Sequence, residues 1–299
     1  MRSKRILAPI NLAKPAEDDI RYALHIARAF RADLHLLYVG HSSSPGLTQG
    51  WPVDALRYGE TEVEVHCAVR TGPVAFTIAR HAEELDADLV FLRSRRYGSW
   101  KRFFRSSVTD ELMGLSRRPV GVAPAISITD LPIPGDRLVC LVGLDGKEAM
   151  LVRYATDLAI ARGAELVLTH IVPESSEALL FHAADGGLRP LSKERAGKQL
   201  LNLTRGLPVP VKMSLWVGDV AAGVRRTVRE HSADLVLAAR SHSGVTAVYG
   251  NDLDWLAGTV GCPLVTVPVD NHLGAPLMDG IHRRVHAPDH QMDEVAVGA

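Results

Sequence analysis

RYALHIARAFRADLHLLYV, residues 21–39, returns as RYATDLAIARGAELVLTHI at residues 153–171, 132 positions later. Eight of the nineteen positions are identical, and the apolar pattern is shared along the rest. In the first copy Ile20, Ala23, Leu24 and Ala27 recur at spacings of three and four, which puts them on one face of a helix, and the second copy repeats that spacing. In both copies an unbroken apolar run follows, Leu34 to Val39 and Leu166 to Val172, as expected of a strand buried on both faces. A repeat on this scale governs the reading of the whole chain.

Working outward, TGPVAFTIARHAEELDADLVFL (71–92) matches VGDVAAGVRRTVREHSADLVLA (217–238) at an offset of 146, and Pro119 matches Pro263 at 144. The change of offset assigns the second copy a longer connection, residues 173–208, and a loop shortened by two after ADLV. Each copy then reads as one series. A first strand (Ile6 to Ile10; Leu138 to Leu144), the helix and the second strand lead to a variable segment and an alternating strand (Val63, Val65, Cys67, Val69; Val211, Met213, Leu215, Val217). Gly72-Pro73 and Gly218-Asp219 end that strand, and a second helix carries Val74, Ile78 and Ala82 or Val220, Val224 and Val228. A fourth strand, a loop, a third helix and a last strand (Val120 to Ala123; Leu264 to Val267) close each copy. Apolar strands alternating with helices predict a parallel sheet covered on both faces. The expected fold is therefore α/β: two tandem doubly wound, Rossmann-like domains, residues 1–130 and 136–269, each with a five-stranded parallel sheet, followed by a loosely ordered tail, 270–299.

Composition narrows the function classes. The 299 residues are 46% hydrophobic and 23% charged with a formal charge of zero, a balance that supports packed cores and excludes general disorder. Residues 1–130 hold 18 basic and 15 acidic side chains, so neither half has the basic excess of a protein that binds nucleic acid by neutralising phosphates. Cys67, Cys140 and Cys262 are odd in number and lack CxxC spacing, which argues for buried thiols in a reducing compartment. No apolar stretch reaches the roughly 18 residues of a membrane span, and the N-terminus lacks a signal-peptide core, so the expectation is a cytoplasmic protein with no membrane partner.

In doubly wound folds ligands sit beyond the carboxyl ends of the strands. Asn11 and Asp145 follow the first strands, Val39 and Ile171 lie near the ends of the second, and FLRSRRYGSWKRFFRSS (91–107) and ARSHSGVTAVYGND (239–252) follow the fourth. The element order, the GxP or GD turn, the ADLV strand and the closing CPLVTVP resemble the universal stress protein family in its tandem two-domain form, over residues 4–125 and 136–268. Nucleotide-binding members carry G-x2-G-x9-G-[ST] after the fourth strand, where glycines let backbone N-H groups approach phosphate at a helix start. The family pattern also places an acid after the first strand and lets backbone at the end of the second read adenine.

Mapped onto that pattern, the first copy has Arg93, Arg96 and Ser106-Ser107 where the glycines and Gly-Ser would stand, and Asn11 in place of the acid. The second copy keeps Asp145-Gly146 and Gly250-Asn251, but Ala239 and His242 replace the first two glycines, with Gly244 nearby. Arg240 and Ile171 complete the candidate set for domain 2. Neither motif is complete, so the residues identify no cofactor. The resemblance offers ATP or another adenine nucleotide, or a different small anionic ligand, for domain 2. Ser107 with Asp110 and Asn251 with Asp254 also read as plain helix caps.

Three function classes follow. The leading expectation is a non-catalytic stress-response protein acting by binding a ligand or a protein partner. A slow magnesium-dependent ATP hydrolase in domain 2 is the enzymatic alternative. A polyanion binder through Arg93, Arg95, Arg96, Lys101, Arg102 and Arg105 is the third, which the charge balance disfavours. No nucleophile turn or catalytic triad is present, and no metal site is assigned: His282, His286 and His290 have helical ligand spacing, but Pro288 interrupts that helix. The last strands of the two domains are expected to pair about a pseudo-twofold axis inside the chain, which leaves room for a homodimer.

Overall fold

A computed structural model describes residues 4–12, 17–40, 63–93, 108–124, 135–172, 193–240, 260–269 and 294–296. In chain order domain 1 comprises β1 (Lys4–Pro9), α1 (Glu17–Phe30), β2 (Ala32–Gly40), β3 (Val65–Thr71), α2 (Val74–Glu84), β4 (Leu89–Arg93), α3 (Val108–Leu115) and β5 (Val120–Ala123). Domain 2 has the same five strands and first two helices with an added helix, α5, before its third strand: β6 (Arg137–Leu141), α4 (Ala149–Arg162), β7 (Glu165–Val172), α5 (Lys193–Thr204), β8 (Val211–Val217), α6 (Val220–Glu230), β9 (Leu235–Arg240) and β10 (Leu264–Pro268); the counterpart of α3, expected from Asn251, falls mostly outside the described residues. One further strand, β11 (Glu294–Ala296), lies in the tail.

The local chemistry explains these boundaries. Glu17, Asp18 and Asp19 occupy the first turn of α1 and Arg28 its last, each sign matched to the helix dipole. Gly163 ends α4 in the left-handed region (φ 65°), and the same position in domain 1 is Arg31, held at φ 49°. The Asp219 carboxylate accepts from Ala222 N at 2.8 Å and caps α6, a contact worth about 1 kcal/mol. Asp234, the acid of the second ADLV, accepts from the backbone N-H of Gly135, Asp136 and Arg137, while Asp88 accepts from Arg5 N. These acids stitch the start of each first strand to the fourth, a structural duty that spacing alone did not reveal.

The strands form one sheet of eleven in the order β11-β3-β2-β1-β4-β5-β10-β9-β6-β7-β8. Within each domain all pairings are parallel, as the unbroken apolar runs predict. The domains join through β5 and β10, antiparallel, with Leu264 opposite Val122, Val265 opposite Gly121 and Thr266 opposite Val120. The Thr266 hydroxyl adds a bond to Val120 O at 3.1 Å. One core cluster runs across both domains on the α1, α4 and α5 face, and a second does so on the α2, α3 and α6 face. The seam is therefore packed on both sides of the sheet like the domain interiors.

At the β3 end, β11 pairs antiparallel, Val295 opposite Cys67. Just inside that edge the rings of His35 and His66 stack with centroids 4.4 Å apart. Burial, then the neighbouring imidazole, pushes the His35 pKa down to about 4. The unfolded chain, with an ordinary histidine, binds a proton between about pH 6.5 and 4 that the folded chain refuses, so stability falls as pH drops through that window. Arg5 and His81 oppose protonation further, and Asp33 favours it. His35→Gln is expected to remove about 2 kcal/mol of the loss between pH 7 and pH 4.5 in urea titrations. An unchanged pH slope in that variant would refute the assignment.

Candidate functional site

The two strand-end crevices are built alike and filled differently. In domain 1, β1 ends at Pro9 and Asn11 lies exposed beyond it. Arg93, the last residue of β4, directs Nη1 to Asp19 Oδ1 on the first turn of α1 at 3.3 Å, with 16% and 13% of the two side chains exposed. This ion pair spans the ends of β4 and the β1-α1 connection, where the family pattern has a glycine facing phosphate. Arg93 is thus neutralised inside the domain. Val39 sits half-buried on β2 opposite Arg70 of β3. Arg96, Ser106 and Ser107 lie outside the described residues, as do Arg95, Lys101, Arg102 and Arg105.

Domain 2 lacks the ion pair. The position of Asp19 is taken by Leu151, fully buried, and that of Arg93 by Ala239. The connection after β6 turns through two left-handed residues, Leu144 (φ 58°) and Gly146 (φ 85°), on either side of Asp145. Asp145 Oδ1 accepts from Lys147 N at 3.1 Å, and Gly146 N donates to Glu148 Oε1 at 3.2 Å. Glu148 is 6% exposed, and its carboxyl pKa is raised by burial first and by the nearby Asp145 charge second. A Cβ placed on Gly146 would meet open space, so the loop opens outward.

Ile171 is buried, and a Cβ on Gly223 of α6 would fall 2.6 Å from its Cγ1, so the Ile171 side chain belongs to the α6 packing. Beside it, on the opposite face of β7, His170 is buried with Nδ1 2.8 Å from Val142 O. Glu148 and His170 are polar groups at the strand ends that sequence reasoning passed over. Glu148 was legible in LDGKEAM as a second acid three residues after Asp145, whereas His170 stands where domain 1 has Tyr38 and shows its burial only in three dimensions.

Arg240 requires a correction. The sequence reading set its side chain in the anion site of domain 2, but it is 4% exposed and crosses the seam into domain 1. Its Nη1 donates to Met113 O and Ser116 O, and Nη2 to Arg118 O at 2.9 Å. These carbonyls lie at and beyond the C-terminal end of α3, where the last carbonyls of a helix have no partner of their own. The guanidinium is a helix cap between domains, because its fork matches several carbonyls at once. His242, Gly244, Gly250 and Asn251 lie outside the described residues.

Among the described residues no group of three His, Cys, Asp or Glu side chains is arranged to hold a metal, and no helix is long and apolar enough to cross a membrane. Cys67, Cys140 and Cys262 are buried free thiols.

Comparison with known proteins places this architecture. The profile of the Universal stress protein family matches residues 2–124 and again 137–268. No curated protein matches the sequence. Among solved structures, a universal stress protein from Archaeoglobus fulgidus aligns over 90% of this chain and 98% of its own, at 14% identity and a TM-score of 0.63. A protein assigned to the same family from Pseudomonas aeruginosa UCBPP-PA14 aligns over 89% and 93%, at 15% identity and a TM-score of 0.59. At these identities the structures attest the fold, while the two profile matches cover most of the chain. The chain therefore belongs to the universal stress protein family, as a tandem of two such domains.

Proposed function

We propose that the protein is a cytoplasmic stress-response protein that binds an adenine nucleotide or another small anionic ligand at the strand ends of domain 2, and acts by binding rather than by catalysis. The observation that carries this reading is the asymmetry of the two crevices. Arg93 and Asp19 occupy the first with a mutual ion pair, while domain 2 has Leu151 and Ala239 at those positions and an outward-opening Asp145-Gly146 turn. Asp145 stands where the family pattern has an acid near the nucleotide, and beyond β9 the chain supplies Gly250-Asn251, the nearest match to the family's Gly-Ser. Family membership supports a stress-related, nucleotide-binding role in general terms. Magnesium would bring the hydrolase reading forward, since Asp145 and Glu148 are the two acids at this turn.

Isothermal titration with ATP, ADP and AMP is expected to give one site per chain. Asp145→Ala should weaken it about tenfold, equivalent to about 1.4 kcal/mol, and Arg93→Gly should leave it unchanged. Heat that survives Asp145→Ala combined with Gly250→Arg sinks the placement. Magnesium-dependent phosphate release lost in Asp145→Asn would move the protein into the enzymatic class.

A further inference from the structure

The eleven-stranded sheet has two ends of different character. At one end β3 is covered by the chain's own β11. At the other, β8 is terminal, and among the described residues no strand pairs beyond it. The two positions are equivalent by the internal repeat: Cys67, opposite Val295, is 7% exposed, whereas Met213, its counterpart 146 residues later, is 47% exposed. Val217 at the end of β8 is 50% exposed.

The backbone of β8 is also suited to pairing. Gly218 N donates to Val172 O, and Val172 lies opposite Val217, so even-numbered residues turn their N-H and C=O toward β7. By alternation Val211, Met213, Leu215 and Val217 turn theirs outward. Pro210, which lacks an N-H, falls on the even set and interrupts nothing on the outer edge. Lys212 would guard an edge strand by its charge, but its ammonium is paired with Glu165 at 2.6 Å.

We propose that two copies of this chain pair edge to edge through β8, antiparallel about a twofold axis at Ser214. In this register Met213 lies opposite Leu215 of the partner subunit and Val211 opposite Val217 of the partner subunit. Both are pairs of residues whose backbone groups point outward, so the ladder closes with matched donors and acceptors, and the paired side chains are apolar. At the opposite end the terminal strand is β11, three residues long against the seven of β8, so among the described strands β8 offers the longer edge, and a twofold pairing that uses it in both chains closes at a dimer instead of growing into a filament.

Light scattering on the full-length protein across a dilution series is expected to approach twice the chain mass and nothing larger. Met213→Lys with Val217→Lys, two exposed positions, should stay monomeric at the concentrations where the wild type is dimeric. Hydrogen exchange on the wild type gives a second reading that needs no variant: the amides of Met213 and Leu215 should slow as concentration rises. A wild type that is monomeric throughout, a series of species above the dimer, a dimer that persists in the double variant, or unchanged exchange at those amides would each overturn the proposal.

Discussion

Arg240→Ala is expected to lower the unfolding free energy by about 3–5 kcal/mol, a large part of the total for a protein of this kind. The guanidinium is 4% exposed and serves Met113 O, Ser116 O and Arg118 O, all in the other domain. Truncation takes the arginine donor away from Met113 O and Ser116 O in a buried seam, leaves Arg118 O with the Ser116 hydroxyl at 3.1 Å, and opens a void where the side chain ran. A net contribution of roughly 1 kcal/mol per neutral hydrogen bond would understate the effect, because one partner is charged and the acceptors remain buried after it is gone. Arg240→Lys should recover less than half, since an ammonium cannot present a planar fork to carbonyls in different directions. Arg240→Met keeps the apolar stem and separates packing from hydrogen bonding. Urea unfolding followed by intrinsic fluorescence would measure all three, and an Arg240→Ala loss below 1 kcal/mol would refute the role. Because the cap joins the domains, the alanine variant is also expected to unfold in two separable steps.

Gly121→Val is expected to be similarly damaging for a steric reason. Gly121 is central in β5, opposite Val265 across the seam. A Cβ built there falls 2.5 Å from Phe91 Cδ2, 2.8 Å from Phe91 Cε2 and 3.3 Å from Val265 Cγ2. Phe91 has little room to withdraw: it is 3% exposed and its ring packs on Tyr22 with centroids 5.5 Å apart. Gly121→Ala should cost about 2 kcal/mol by overpacking, and Gly121→Val more than about 3 kcal/mol. Phe91→Ala in the Gly121→Val background should restore part of the loss, because the deleted ring makes the space the new side chain needs. Additive losses in that double-mutant cycle would mean that Phe91 is not the obstacle.

Both positions lie in stretches that look interpretable from sequence, and both were interpretable only in part. Gly121 in RRPVGVAP reads as a strand residue, and nothing in its neighbours announces that the ring of Phe91 fills the place of its missing side chain. Arg240 directly follows Ala239, the position where the family pattern begins its phosphate loop, so a ligand role is the natural reading of a cation there. Its partners are more than 120 residues away in sequence. Asp19 gives the same lesson in reverse: the adjacent carboxylates Asp18 and Asp19 read as a solvent-facing pair on a helix, yet Asp19 is 13% exposed and holds Arg93.

By itself the sequence determined the two-domain α/β architecture, the order of elements, their parallel pairing and the family, because periodicity and apolar runs report which faces are buried, and a repeated pattern repeats the fold. It also located the departures from the family's phosphate loop, since substituted glycines are visible in a single line of text. Only the tertiary structure decided what the substituted residues do. Whether an arginine meets a phosphate, a neighbouring aspartate or the end of a distant helix depends on which backbone carbonyls and carboxylates the folded chain brings within 3 Å or so, and that proximity is set by long-range packing. The Arg93–Asp19 pair, the Arg240 cap and the contrast between a covered β3 and an open β8 are all consequences of that packing.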